Sequence, residues 1–348
     1  MKILCIANNL EGNYDGIGKH ARIVGHEFES MGNQVDYCTG TTWNKSKIGK
    51  MQSFQMCNAF LSATWKMMIS DYDYIVIEYP FAEYNPFILL FHWIMFFLSR
   101  FTKTKVAFSM HEYDRVTSLR RTIIKGFLPF CDVLFVSEEK YFRELSKYCD
   151  KMFVRTISSQ GLPYTEGLKD TKEKTSYCYF GLVNRSKAFL EMLNAWDVFN
   201  KEGKFTLDVV SISDLAEYKL DSHKNVTYHY KLADREAGAV LSKDVFSIIP
   251  VVPSIGFNNS SFVSSIQCGC IPIGKFNNDL SALDFIVKCN SYELNDFVKA
   301  LYDSQNLSDD SVKTCIDHAL EFGKNFSVHK TAEMMINGFK AYENKHKK

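Results

Sequence analysis

Three observations predict an α/β protein with two doubly wound parallel sheets. Strand-like apolar runs alternate with helical spacing along the chain, this pattern fades once near 161–175 and then restarts, and 348 residues divide into two domains of about 150.

The run Ile3 to Ala7 reads as the first strand, since its apolar stretch is too short for the core of a signal peptide. A Gly/Asn/Asp loop from Asn8 to Gly18 follows, then a helix from His20 to Met31 through Ile23, Val24 and Phe28. Gly32-Asn33 ends that helix, and Gln34 to Cys38 alternates as the next strand. Tyr74 to Ile77, Lys105 to Ser109, Val133 to Val136 and Phe153 to Ile157 supply further buried strands, with helical stretches between several of them. Pro163, Gly167 and the charged run Lys169 to Lys174 read as an exposed connection and the domain boundary. The second half predicts strand Ser176 to Phe180, helix Ala188 to Asn200, strands Thr206 to Val210 and Val226 to Tyr230, helix Asp234 to Leu241 and strand Val245 to Ile249. Ala332, Met335, Ile336, Phe339 and Ala341 share one broad face of a C-terminal helix, His329 to Lys347.

Composition narrows function. With 46% hydrophobic and 23% charged residues the chain is globular, and 41 Lys plus Arg against 40 Asp plus Glu give a net charge of +1, with no global field to hold a nucleic acid. The ten cysteines form no zinc-type spacing and read as reduced, mostly buried thiols of a cytoplasmic protein.

Open α/β sheets bind ligands beyond the carboxyl ends of their strands, so the loops there should face a shared cleft. Gly16 and Gly18 remove side chains just before a helix and would let a ligand approach backbone N–H groups; a plain turn is the competing reading. His111, with Glu112 and Asp114, stands at a strand end where a general base or a sugar-hydroxyl ligand would sit, or where a histidine bonds its own backbone. Arg185 and Lys187 at a helix start could balance a diphosphate without a metal, or form a solvated basic turn. From Pro253 to Pro272 small polar residues, Asn258, Asn259, Ser260, Ser261 and Ser264, lead into and along a helix that ends at Gly269. Asn259 or Ser260 could cap it and aim its amides at a phosphate or sugar, or simply cap it. No Asp-x-Asp falls in a metal-binding loop, as Asp71-Tyr72-Asp73 precedes a strand, so no divalent metal is expected.

Taken in order, these pieces resemble the GT-B glycosyltransferases, in particular the retaining, nucleotide-sugar-dependent family-4-like group that builds bacterial surface polysaccharides. The resemblance spans nearly the whole chain. It rests on the opening strand and glycine loop, Ser30-Met31-Gly32-Asn33-Gln34-Val35, His111, Ser158-Ser159-Gln160-Gly161, Tyr179-Phe180-Gly181 with Lys187, and Asp244 to Pro250 leading to Cys268-Gly269-Cys270-Ile271-Pro272.

The resemblance implies two Rossmann-like domains facing a cleft: an acceptor-side domain over 1–165, a nucleotide-sugar domain over 175–328, and the helix 329–348 packing back towards the first. It implies a metal-independent, retaining transferase with no cofactor beyond a UDP- or GDP-linked sugar, acting on a saccharide acceptor that is lipid-linked, in O-antigen or capsule synthesis. Arg185 and Lys187 would meet the diphosphate, Ser260 and Ser261 the phosphate or sugar, Ser264 the ribose, and His111 the transferred sugar, while Gly16 and Gly18 admit donor or acceptor. One departure stands out. The group carries two glutamates eight positions apart before the Cys-Gly pair; here the second falls on Ser264 and the first near Gly256 to Asn258, with no carboxylate, so Asn258, Asn259 and Ser260 would do the missing work. A catalytically silent saccharide-binding or partner protein is therefore the alternative.

Pro86 to Leu98 holds eleven apolar residues of thirteen, short of the roughly 18 or more that span a bilayer. Between Ser99 and Lys125, seven cations stand against two carboxylates. An apolar helix beside a basic patch suits peripheral attachment to the anionic inner face of the plasma membrane; a helix buried against the sheet is the competing reading.

Overall fold

The computed structural model describes residues 1–7, 10, 16–40, 50–79, 86–111, 113, 117–155, 162, 164, 171–184 and 187–346, with the backbone alone for 50–55 and 86–89. The chain divides into two compact units, Met1–Ser158 with Val328–Lys348, and Ser159–Ser327.

The first unit is a six-stranded parallel sheet in the order β2-β1-β3-β4-β5-β6. Its strands are β1 (Lys2–Ala7), β2 (Gln34–Thr39), β3 (Tyr74–Tyr79), β4 (Lys105–Met110), β5 (Val133–Val136) and β6 (Met152–Val154). The inner strands β1, β3, β4 and β5 are buried on both sides because helices cover both faces, while β2 and β6 form the edges. On one face α2 (Lys50–Ile69), α3 (Pro86–Ser99), α4 (Ser118–Phe127) and α5 (Glu139–Leu145) close over Leu4, Ile6, Ile75, Ile77, Val106 and Phe108. On the other, α1 (Gly16–Ser30) and α11 (Val328–His346) close over Ile3, Cys5, Val76, Ala107 and Phe135. Phe339 of α11 stacks on Tyr74 at 4.1 Å between ring centres and meets Phe135 edge-on at 5.3 Å, which makes the last helix part of this unit's core.

The second unit repeats the plan with the order β12-β11-β10-β7-β8-β9. The strands are β7 (Glu173–Phe180), β8 (Thr206–Ser211), β9 (Val226–Tyr230), β10 (Asp244–Ile248), β11 (Ile271–Gly274) and β12 (Val287–Lys288). The helices are α6 (Phe189–Phe199), α7 (Asp234–Lys243), α8 (Ser260–Gln267), α9 (Leu294–Gln305) and α10 (Asp309–Gly323). Trp196 and Phe199 of α6 and Phe297 and Leu301 of α9 pack with Tyr177 and Phe246 of the sheet. In both units sequential strands run outward in two directions from one point, between β1 and β3 in the first and between β7 and β10 in the second. These are the switch points beyond whose carboxyl ends ligands bind in doubly wound sheets.

The doubly wound class thus stands, and two local expectations change. The first helix starts at Gly16 and not at His20, so Gly16 and Gly18 form its first turn and lie outside any loop. The reason is burial: Gly18, Ala21, Gly25 and Phe28 make one continuous buried stripe, which carries the helix back through its glycines. The last strand of the first unit stops at Val154, because Arg155 turns its side chain into the cluster described below. All ten cysteines are free thiols, eight of them buried.

If α11 belongs to the first unit's core, Phe339→Ala is expected to destabilise that unit by about 3–5 kcal/mol, read as a lowered urea midpoint; an unchanged midpoint would separate the helix from the core.

Candidate functional site

Beyond the first unit's switch point, three strand ends and one helix converge on a single carboxylate. Glu78 ends the apolar run of β3, is 2% exposed, and accepts hydrogen bonds from the Ser109 hydroxyl at 2.7 Å and from His111 Nε2 at 2.6 Å. Arg155, fully buried, donates from Nη2 to Ser109 Oγ at 2.8 Å and lies 3.8 Å from the Glu78 carboxylate. Its Nη1 stands 3.2 Å from His20 Nε2, and its Nη2 lies 2.9 Å from His111 Nε2 and 3.3 Å from Nδ1. The His20 and His111 rings meet edge to face at 4.8 Å.

With its proton on Nε2, His111 donates to Glu78, while His20 accepts from Arg155 on Nε2; both rings are neutral, and one guanidinium balances one carboxylate. The titration directions agree. Burial, then the Arg155 charge, push His20 well below its ordinary value and lower His111 as well, against the pull of Glu78. Burial would raise Glu78, but the His111 hydrogen bond and the Arg155 charge outweigh it and hold the carboxyl down at about 2. His20, Glu78 and His111 bring their ligating atoms within 4.8 Å of one another, a donor set that a metal uses, yet the Arg155 guanidinium already engages them and a divalent ion would meet a fixed cation.

In the second unit the switch point is built from small side chains and backbone. The residue after β7 is Gly181, at φ +137°, and a Cβ there would stand 2.6 Å from Ser261 Oγ. Only glycine lets the strand end pass so close to the first turn of α8. The turn is held from behind by Tyr179, whose hydroxyl donates to the Leu182 carbonyl at 2.9 Å, and by Ser213 Oγ, which accepts from the Val183 amide at 2.9 Å.

Helix α8 is capped by Asn259, whose Oδ1 accepts from the Phe262 amide at 2.9 Å. Gly269, at φ +68°, closes its other end, with the Cys270 amide reaching the Ser265 carbonyl at 2.9 Å. The helix is pinned to β10 by the Ser247–Ser265 hydroxyl pair at 2.7 Å. Ser264 is fully buried, and its hydroxyl has no hydrogen-bond partner. Lys187 is half-buried; its backbone pairs with Val251 just past β10, and its amide donates to Asn184 O at 2.9 Å. Arg185 lies outside the described residues, as do Glu112 and Asp114.

The expected donor residues Asn258, Asn259, Ser260, Ser261 and Ser264 therefore run along one capped helix start, against the Gly181 turn in the case of Ser261. His111 is brought together with Glu78, Ser109, Arg155 and His20, none of which the sequence singled out for chemistry. A groove of about 660 Å³ opens next to Ala188 and Val252, but Glu191, Asp197 and Glu293 line it, and three carboxylates repel phosphates.

No protein-family model matches the chain, and no curated protein matches it in sequence. Solved structures match it along nearly its whole length. The Anabaena protein HepE in complex with UDP and glucose aligns at TM-score 0.67 and 12% identity, covering 98% of this chain and 100% of that one. An alpha-glucosyltransferase in complex with UDP-glucose and DNA containing an abasic site aligns at 0.66 and 14%, covering 98% and 99%. The E. coli protein described as trehalose-6-phosphate, bound with UDP-2-fluoro glucose, aligns at 0.63 and 12%, covering 98% and 99%. At these identities the likeness is one of fold: two Rossmann-like units of the GT-B kind.

The buried cluster fixes the response to acid. Both histidines are held below 6.5, so the unfolded chain binds more protons below that pH and stability falls as pH drops, by about 1.4 kcal/mol per unit for each ring. Glu78 adds to the loss between 4.5 and about 2. Urea unfolding from pH 8 to 5 is expected to show this decline, shallower in His20→Asn; a rise in stability on acidification would contradict the neutral rings.

Proposed function

We propose that this chain is a glycosyltransferase that moves a sugar from a nucleotide-diphosphate sugar, UDP- or GDP-linked, to a saccharide acceptor. The observation that carries the reading is the switch point of the second unit, where the capped start of α8 meets the Gly181 turn with serine hydroxyls and no carboxylate. A helix start and oriented amides favour an anion there. The same fold houses UDP and UDP-glucose in the structures named above.

In this reading Lys187, with Arg185, meets the diphosphate as charge builds on the leaving group. Asn258, Ser260 and Ser261 hydrogen-bond phosphate or sugar, and Asn259 holds the helix that aims them. The buried Ser264 hydroxyl gains the partner it lacks from the ribose. Gly16 and Gly18 keep side chains out of the path of the acceptor or donor, and His111, fixed by Glu78, is the polar group offered to the transferred sugar. The bond from the anomeric carbon to the phosphate oxygen breaks, the acceptor hydroxyl oxygen takes its place on the same face, and the hydroxyl proton passes to the departing phosphate. Leaving-group stabilisation by side-chain cations and the helix start supplies the charge, with no divalent metal and retention of configuration.

The acceptor in this proposal is a lipid-linked saccharide of a bacterial surface polysaccharide, O-antigen or capsule, met at the cytoplasmic face of the plasma membrane. A second reading, a catalytically silent saccharide-binding protein, draws on one feature: no Asp or Glu occurs from Pro253 to Cys268.

Purified protein is expected to be stabilised by one nucleotide diphosphate among UDP, GDP, CDP and ADP, by about 2.7 kcal/mol at 100 times its dissociation constant, and to transfer sugar in excess EDTA. Lys187→Ala is expected to lower turnover about 100-fold or more. Ser264→Ala removes a buried, unsatisfied hydroxyl, so its melting temperature should hold or rise while the donor KM increases severalfold. Binding without transfer would favour the silent reading, and neither binding nor transfer would overturn the proposal.

A further inference from the structure

The outward sides of α2 and α3 are apolar where solvent-facing helices carry charge. On α2, Leu61, Trp65 and Ile69 repeat every fourth position and are at least half exposed, with Trp65 at 66%. On α3, Leu90, Trp93, Ile94 and Phe97 follow the helical period on the exposed side, Phe97 at 65%, and Phe101 continues the line at 69% just past the helix. The two helices pack side by side over the same sheet face, joined by Phe60 and His92 at 4.5 Å, so both stripes belong to the outside of one layer. Trp93 extends the surface to Phe130 at 5.2 Å. Contiguous apolar exposure of this kind marks an interaction surface.

Its charge selects the partner. No Asp or Glu occurs anywhere in α2, α3 or α4, whereas Lys66, Arg120, Arg121 and Lys125 do, and Arg100 and exposed Lys103 follow α3. A second copy presenting the same face would bring like charges together, while an anionic headgroup layer complements them. Tryptophan and phenylalanine with flanking cations, and no carboxylate within the helices themselves, is the composition of an element lying in a bilayer interface.

We infer that the α2–α3 face docks on a bilayer containing anionic phospholipid, with Trp65, Trp93, Phe97 and Phe101 entering the headgroup and acyl boundary. This deepens the membrane part of the proposal above and is independent of the transfer chemistry. It adds the α2 stripe to the apolar helix and following basic residues that the sequence singled out. Of those cations, Arg100 pairs with Asp132 at 3.3 Å, Lys125 with Glu144 at 3.2 Å, and Arg121 lies over the Tyr113 ring at 5.5 Å, so the apolar stripes carry most of the attachment and the cations favour an anionic layer. No helix among the described residues is long and apolar enough to cross a membrane.

The test uses the full chain, without nucleotide sugar, and vesicles of phosphatidylcholine and phosphatidylglycerol. Co-flotation is expected, with quenching of tryptophan fluorescence by brominated acyl chains. The double variant Trp65→Ser, Phe97→Ser is expected to lower the partition coefficient at least tenfold with an unchanged melting temperature. Phe101→Ser, outside both helices, is expected to act in the same direction. Raising salt from 0.1 to 0.5 M should weaken wild-type binding by less than the double substitution does. Absence of vesicle binding, equal binding by the variants, or a dimer that the double variant dissociates without any vesicle binding would each overturn the inference.

Discussion

Burying Glu78 is the constraint around which the first unit is arranged. A carboxylate inside a parallel sheet costs several kcal/mol in lost hydration unless its lone pairs and charge are met. Ser109, His111 and Arg155 meet them from the ends of β4 and β6, and Arg155 in turn engages His20 of α1. Elements that are distant in sequence are thus held in register at one polar point. Removing a single partner would strand a buried charge, a loss of about 3–5 kcal/mol. The arrangement explains why both imidazoles stay neutral: a second positive group beside Arg155 would have to share its one carboxylate.

The two units solve the same topological problem with opposite chemistry. Beyond β1 and β3 the strand ends are filled by an internally neutral ion pair, which leaves His111 oriented but not charged. Beyond β7 and β10 the strand ends are bare: a glycine, serine hydroxyls and the start of a helix. The first arrangement fixes a hydrogen-bonding side chain, and the second favours an incoming anion through backbone dipoles. That division suits a reaction in which one unit holds a diphosphate and the other presents polar groups to a sugar.

Much of the fold is legible in the sequence because parallel strands buried on both faces read as unbroken apolar runs. Val133 to Val136, buried at every position, falls where the pattern puts it; Val226 to Tyr230 does so too, although as an edge strand it is partly exposed and β-branched and aromatic residues, not burial, mark it. The start of α1 is hidden because glycine lowers helix propensity, and only tertiary burial of Gly18 and Ala21 extends the helix through it. The site is half legible. His111 stands out at a strand end, but Glu78 is one acid in an apolar strand and Arg155 follows another, so no local spacing links them; a carboxylate in a run such as Tyr-Ile-Val-Ile-Glu-Tyr is the signal that could have found it. The outward stripe of α2 is hidden for a related reason: a helix apolar on its inner and outer sides has little contrast for periodicity to detect.

Backbone hydrogen exchange with and without UDP, and separately GDP, tests the central claim, that the second unit's switch point receives a nucleotide diphosphate, most directly. With one of the two, protection is expected to rise in the Gly181–Asn184 turn and the first turn of α8 from Ser260. Nucleotide-dependent protection confined to the groove beside Glu191 and Glu293, or none in either segment with both nucleotides, would contradict it.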